Sequence, residues 1–180
     1  MEMLTIKIEE IPDEGLNLEW VEEKDSISTY LKNFSNIDFE FESPMKSKMK
    51  IVKAGKSLLL KGDVVATLRL QCGRCLKEFS YPISTHFDLN FYSIKDFSFP
   101  EELELSEEDM EMNFYEGGEI HLSEIAFEQV FLEIPYKPLC HEDCKGLCPF
   151  CGQDLNLSSC DCIKESFNSS FSILKKLIKS

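Results

Sequence analysis

Hydrophobic and polar side chains alternate along much of the first half of the chain. Thr5-Ile6-Lys7-Ile8-Glu9 alternates as a half-buried strand does, and Pro12, Asp13 and Gly15 end it. Ile37-Asp38-Phe39-Glu40-Phe41-Glu42 alternates strictly and predicts a second strand, stopped by Pro44. Lys46 to Val52 and Leu58 to Lys61 predict strands on either side of a turn at Ala54-Gly55. Val64, Ala66, Leu68 and Leu70 then alternate with Val65, Thr67, Arg69 and Gln71. Ile83, Thr85, Phe87, Leu89 and Phe91 alternate in the same way with Ser84, His86, Asp88 and Asn90. These are two long antiparallel strands, each with one face toward a core. Cys72-Gly73-Arg74-Cys75 falls at the hairpin tip between them.

Farther along, the period changes. Ser123 is placed to cap a helix running through Ile134, with Glu124 near its positive end. Leu122, Ile125, Ala126, Val130 and Ile134 give that helix an apolar face, and Pro135 and Pro138 stop it. Phe167, Phe171, Leu174 and Ile178 recur at helical spacing, with Lys175, Lys176 and Lys179 in the last turn, and predict a closing helix. Two stretches stand out for their acidic side chains. Leu16 to Ser35 is acidic and holds the single tryptophan, Trp20, read as a surface-packed anchor. Residues 96–119 are acidic, end in Gly117-Gly118, and read as a solvated surface loop or short helix. The expected fold is α+β: an antiparallel sheet, one central helix, a Cys-rich zinc-binding C-terminal module and a closing C-terminal helix. Residues 1–135 would form the sheet-and-helix domain, and 136–180 a module packed on it.

The chain has 180 residues, 43% hydrophobic and 29% charged, which excludes a wholly disordered or fibrous protein. No stretch approaches the roughly 18 apolar residues of a membrane span, so no membrane partner is expected. Met1 to Lys7 lacks the basic and apolar regions of a secretory leader, which points to a reducing cytosol. A net charge of −14 argues against indiscriminate nucleic-acid binding. The charge is segregated, however. Between Ser43 and Lys77 there are nine cations and one acid, whereas Asp96 to Glu133 holds 13 acids and no Lys or Arg.

The eight cysteines fall into tight pairs: Cys72 with Cys75, Cys140 with Cys144, Cys148 with Cys151, and Cys160 with Cys162. A two-residue gap lets both sulfurs face one ion while backbone N–H groups donate to the thiolates, as a tetrahedral zinc site requires. Cys148, Cys151, Cys160 and Cys162 would close a local knuckle. Cys72 and Cys75 would join Cys140 and Cys144, tying the hairpin tip to the segment after the helix. Other readings stay open. An iron–sulfur cluster uses the same ligands. A single zinc would leave free thiols, or would draw in His141. Disulfides suit an even count but neither the tight spacing nor the compartment. Cys144, Cys148 and Cys151 match the spacing of radical S-adenosylmethionine enzymes, but too little chain follows for the barrel that chemistry needs. His86 and His121 read as surface residues. No phosphate-cradling loop or nucleophile triad is present, so the metal sites read as structural and the protein as no enzyme.

Three segments carry a family resemblance. They are Cys72-Gly73-Arg74-Cys75-Leu76, the helix end Leu132-Glu133-Ile134-Pro135, and Cys144-Lys145-Gly146-Leu147-Cys148-Pro149-Phe150-Cys151-Gly152-Gln153-Asp154-Leu155-Asn156 followed by Cys160-Asp161-Cys162. Together they resemble the YceD family, bacterial and plastid proteins named for large ribosomal RNA subunit accumulation. The resemblance implies a cytoplasmic, non-enzymatic ribosome-biogenesis factor that supports accumulation or maturation of large-subunit ribosomal RNA, and it carries no catalytic residues over. The expected partner is that RNA or its precursor particle, contacted through Lys46, Lys48, Lys50, Lys53 and Arg74 in the basic segment. Alternatively, those lysines protect a sheet edge, and the acidic part faces a basic ribosomal protein. A zinc-stabilised protein–protein adaptor without RNA contact is the competing function.

Overall fold

Alternation folds the longest strands into a sheet with one greasy and one charged face. A computed structural model describes residues 3–32, 34, 38–96 and 112–164. The strands are β1 (Thr5–Lys7), β2 (Leu16–Glu22), β3 (Glu40–Phe41), β4 (Met45–Ala54), β5 (Ser57–Gln71), β6 (Glu78–Ser93), β7 (Met112–Tyr115) and β8 (Glu119–His121). The helices are α1 (Lys24–Leu31) and α2 (Leu122–Leu132). The chain forms two units: Met1–Leu70 with Phe79–Tyr136, and Gln71–Glu78 with Lys137–Ser180.

In the first unit the main sheet runs β2-β4-β5-β6-β7, with β3 also on β5, while β1 and β8 make a separate two-stranded sheet. Met45, Met49 and Ile51 of β4, and Leu58, Leu60, Val64, Ala66, Leu68 and Leu70 of β5, are buried. They share one core with Leu122, Ile125, Ala126, Phe127 and Val130 of α2. Phe127 stacks on Tyr30 with ring centroids 4.9 Å apart and meets Phe41 edge-on at 6.1 Å. The opposite face carries a lattice of charges. Asp63 meets His86 and Lys61 meets Asp88, pairs that step in opposite directions along β5 and β6, as antiparallel neighbours must. Gly62 lies within β5 at a position where a Cβ would stand 2.5 Å from the Phe87 ring and 2.9 Å from Met49, which favours glycine there.

Several expectations change. The acidic stretch from Leu16 contains β2, antiparallel to β4 from Leu16↔Ile51 to Glu22↔Met45, and α1. Trp20 packs, partly buried, against the core. The sheet is mixed rather than antiparallel throughout, since β7 runs parallel to β6. The strand expected over 37–42 is reduced, in its described part, to β3. Ser123 does not cap α2. The preceding residue but one, His121, holds the cap position. Ser123 is fully buried in the first turn, where its hydroxyl donates to Glu22 Oε1 and accepts from the Leu4 N–H. Part of the acidic run, residues 97–111, and the expected closing helix with Phe167, Phe171, Leu174 and Ile178 lie outside the described residues. Among the described residues, no helix is long and apolar enough to cross a membrane.

Candidate metal centres

Two short turns in the second unit are built alike. In the tip between β5 and β6, the Cys72 N–H donates to the Lys77 carbonyl at 2.9 Å and the Leu76 N–H to the Cys72 carbonyl at 2.9 Å. Seventy-six residues on, the Cys148 N–H donates to Gln153 at 2.8 Å and the Gly152 N–H to Cys148 at 2.9 Å. Each turn therefore places its two sulfurs on one side of the backbone, and each needs a left-handed residue just after its second cysteine. Gly152 (φ 73°) fills that position freely, whereas Leu76 (φ 60°) is the one non-glycine at positive φ among the described residues.

The turns gather the eight cysteines into two groups that could each hold a metal ion: Cys72, Cys75, Cys140 and Cys144, and Cys148, Cys151, Cys160 and Cys162. Within each, the four sulfurs lie within 4.8 Å of one another. Cys72 Sγ stands 3.8 Å from Cys144 Sγ, and Cys75 Sγ 3.7 Å from Cys140 Sγ. A tetrahedron with metal–sulfur bonds of about 2.3 Å has edges of about 3.8 Å, so the donor set fits a single ion. None of the eight is bridged in a disulfide. His141 belongs to neither group; its carbonyl accepts the Cys144 N–H at 3.1 Å. The first group is the more enclosed, with Cys72, Cys75 and Cys144 buried, while Cys151 of the second is exposed.

Electrostatics in each group favours one anion. Burial opposes ionisation of Cys72, but the backbone N–H groups of Cys75, Cys140 and Arg74 outweigh it and bring its pKa down to about 6. The N–H groups of Cys151 and Phe150 bring Cys148 down to about 7 against its burial. Cys140 and Cys160 meet that first negative charge. Burial and contacts with Cys144, Cys75 and Cys72 push Cys140 up to about 12, and the bond to Cys148 followed by burial does the same to Cys160. Four thiolates converge only when a cation compensates them.

The second group hangs on a small hairpin. Leu147 and Asp154 form an antiparallel bridge, and the Leu155 N–H donates to Gly146 at 2.9 Å. Gly146 has φ 74° and no room for a Cβ, which would stand 2.9 Å from the Arg74 carbonyl oxygen. Arg74 Nη1 donates to the carbonyls of Cys144 at 2.7 Å and Glu142 at 3.2 Å. Asn156 reaches Cys144 Sγ with its amide at 3.5 Å. Spacing rules assign that residue no role; its only sequence signal is its place at the end of the Cys144–Asn156 string.

The basic segment is dispersed. Lys46, Lys48 and Lys50 project from the charged face of β4. Lys48 is paired with Glu19 at 2.7 Å, and Lys53 Nζ donates to the Ile11 carbonyl at 2.6 Å. Arg69 meets Glu42 at 3.0 Å.

A protein family described as large ribosomal RNA subunit accumulation protein YceD matches residues 60–178, the stretch holding both four-cysteine groups. An uncharacterized protein of Mycobacterium leprae is 26% identical over 116 residues, covering 64% of this chain and 51% of its own. One from Mycobacterium tuberculosis is 30% identical over 109 residues, 59% of this chain and 49% of its own. The chloroplastic large ribosomal RNA subunit accumulation protein YCED homolog 1 of Arabidopsis thaliana is 27% identical over 161 residues, 78% of this chain and 50% of its own. The chain thus spans about half the length of the curated relatives it matches. No solved structure matches it.

Proposed function

The chain belongs to the YceD family, and from that premise we propose that it is a non-enzymatic factor supporting accumulation or maturation of large-subunit ribosomal RNA, with zinc held by both four-cysteine groups. The match over residues 60–178, which takes in all eight cysteines, carries this reading. Zinc suits the donor sets, since four soft thiolates in a tetrahedron select zinc or iron. Sulfur separations of 3.7–3.8 Å favour one ion over a cluster, whose irons and sulfides would hold the cysteines farther apart. Bound there, the metal contributes folding energy and no open coordination position. Cys72, Cys75, Cys140 and Cys144 would hold one ion, and Cys148, Cys151, Cys160 and Cys162 the other. Eight unbridged thiols suit a reducing cytoplasm.

RNA contact would fall to Lys46, Lys48, Lys50, Lys53 and Arg74, with Lys46 and Lys50 the best placed. Lys48, Lys53 and Arg74 already serve the fold through Glu19, Ile11, Cys144 and Glu142. One observation favours the adaptor reading instead. The charged face of the sheet alternates both signs around exposed Val21 and Val65, as a protein-binding surface does. In the second unit, Arg74, Lys77, Lys137, Lys145 and Lys164 balance Glu78, Glu142, Asp143, Asp154 and Asp161 among the described residues. Each loaded metal group then adds an excess of thiolate charge, a surface suited to a basic ribosomal protein.

Depletion tests the role: large-subunit RNA falls relative to small-subunit RNA, and unchanged levels would remove the proposal. Elemental analysis of chain purified without chelators gives zinc rather than iron. Salt-dependent binding of large-subunit RNA fragments, weakened by Lys46→Glu with Lys50→Glu, supports direct contact. Binding indifferent to both leaves the adaptor.

A further inference from the structure

The two four-cysteine groups share one hairpin. Its outgoing limb begins at Cys144 of the first group and ends at Cys148 of the second, and the turn Cys148–Gly152 is its tip. The return limb runs back along it through the Leu147↔Asp154 bridge, the Cys148-to-Gln153 bond and the Leu155-to-Gly146 bond. At the open end stands Asn156. Its Oδ1 accepts the Lys145 N–H at 2.7 Å. Its backbone N–H donates to Asp154 Oδ1 at 2.8 Å, and its amide nitrogen donates to the same oxygen at 2.7 Å. The remaining amide hydrogen reaches Cys144 Sγ at 3.5 Å. Asp154 and Lys145 together fix the amide plane, so the donor is aimed at the sulfur.

We propose that Asn156 is a positioning residue that couples the two groups, so that metal bound at Cys148, Cys151, Cys160 and Cys162 strengthens metal binding at Cys72, Cys75, Cys140 and Cys144. This rests on the reading that both groups hold a metal. The physical path is short. Cys160 and Cys162 follow Asn156 by four and six residues. An ion joining them to Cys148 and Cys151 closes the loop that contains Asn156 and removes its freedom to leave Cys144. The ordered amide then stabilises the Cys144 thiolate and fixes the sulfur's direction, as outer partners of metal ligands do. Linkage makes the effect reciprocal, because each ion raises the affinity for the other by the same factor.

The test uses the full chain, stripped of metal under reducing conditions and titrated with Co²⁺, read by its thiolate charge-transfer and d–d absorption. Disabling the second group with Cys160→Ser and Cys162→Ser is expected to weaken Co²⁺ binding at the first roughly 5–150-fold. Asn156→Asp keeps the acceptor for Lys145 and removes the amide donor to both Cys144 and Asp154; it is expected to weaken the first group roughly 10–100-fold. Combining the three substitutions is expected to cost no more than about twofold beyond the larger single effect, because both act through one contact. Cys72→Ser with Cys75→Ser must weaken the second group by the same factor as the converse experiment. Coupling is overturned if the first group is indifferent to the second, if Asn156→Asp changes nothing, or if the two losses multiply. A wild-type chain that takes up no Co²⁺ would overturn the metal reading and the coupling together; two ions bound independently would overturn the coupling alone.

Discussion

Leu76 and Gly152 occupy the same turn position with opposite consequences. A left-handed backbone costs an L-residue about 1–2 kcal/mol. Leu76 carries that cost although its side chain is 55% exposed, so little packing offsets it. Glycine substitutions can be ranked on the same ground. Gly152→Ala, with nothing near its Cβ, should cost about 1 kcal/mol from backbone conformation alone. Gly146→Ala adds the approach to the Arg74 carbonyl and should cost more. Denaturant melts of the metal-loaded variants, followed by loss of thiolate absorption, give the order; equal costs would contradict it. Glu42 supplies a pH prediction. The Ser80 hydroxyl, then the Arg69 guanidinium, hold its carboxyl below the usual glutamate range. A carboxylate whose pKa falls on folding adds stability above its ordinary pKa and loses it as pH falls through the folded value. Glu42→Gln should therefore destabilise at neutral pH, and the difference from wild type should close on acidification. A gap constant with pH would assign the loss to geometry rather than charge.

At the scale of elements, legibility followed how locally each is determined. β4, β5 and β6 could be read because inward residues alternate with exposed ones, buried along β5 and from Met45 to Ile51 of β4, and buried or half-buried along most of β6, a pattern only one register satisfies. β2 was hidden because its outward residues include Val21 as well as Glu19, and because acidic neighbours masked the Leu16, Leu18, Trp20 stripe. β7 and β8 lie in a charge-rich stretch, and their partners, β6 and β1, are distant in sequence. The paired spacing of the cysteines suggested two groups. Nothing local pointed to Asn156, whose role depends on a hairpin folding back on Cys144. Ser123 teaches the same lesson, since a local rule made it a cap while Leu4 and Glu22 claim its hydroxyl. Ser123→Ala should strand the half-buried Leu4 N–H and one oxygen of the buried Glu22, costing about 1–3 kcal/mol. A change within roughly 0.5 kcal/mol, as for an ordinary surface substitution, would mean that these groups find other partners.

For the whole molecule, the two units are held by different physics, and this gives the prediction with the widest reach. The first unit has a continuous apolar core from β4, β5, β6 and α2, with Met45, Ile51, Leu60, Val64, Leu68, Leu122 and Val130 all essentially inaccessible. Burial of that kind sustains a fold without a cofactor. The described part of the second unit has no comparable store. Its fully enclosed side chains are cysteines, and Leu76, Phe150 and Leu157 are exposed. On the proposed reading its folding energy comes from metal–thiolate bonds, which contribute roughly 10–16 kcal/mol of apparent free energy in small zinc domains. Removing metal from the intact chain with a chelator should leave the amides of β4 and β5 slow to exchange, from Met45 to Ala54 and Ser57 to Leu70. It should bring residues 140–162 to the exchange rate of open chain. Cys148→Ser should reproduce part of this loss, and Cys148→Ser with Cys72→Ser all of it. Protection persisting across 140–162 after chelation would show that backbone bonds alone maintain the thiolate unit, and that metal serves some purpose other than its fold.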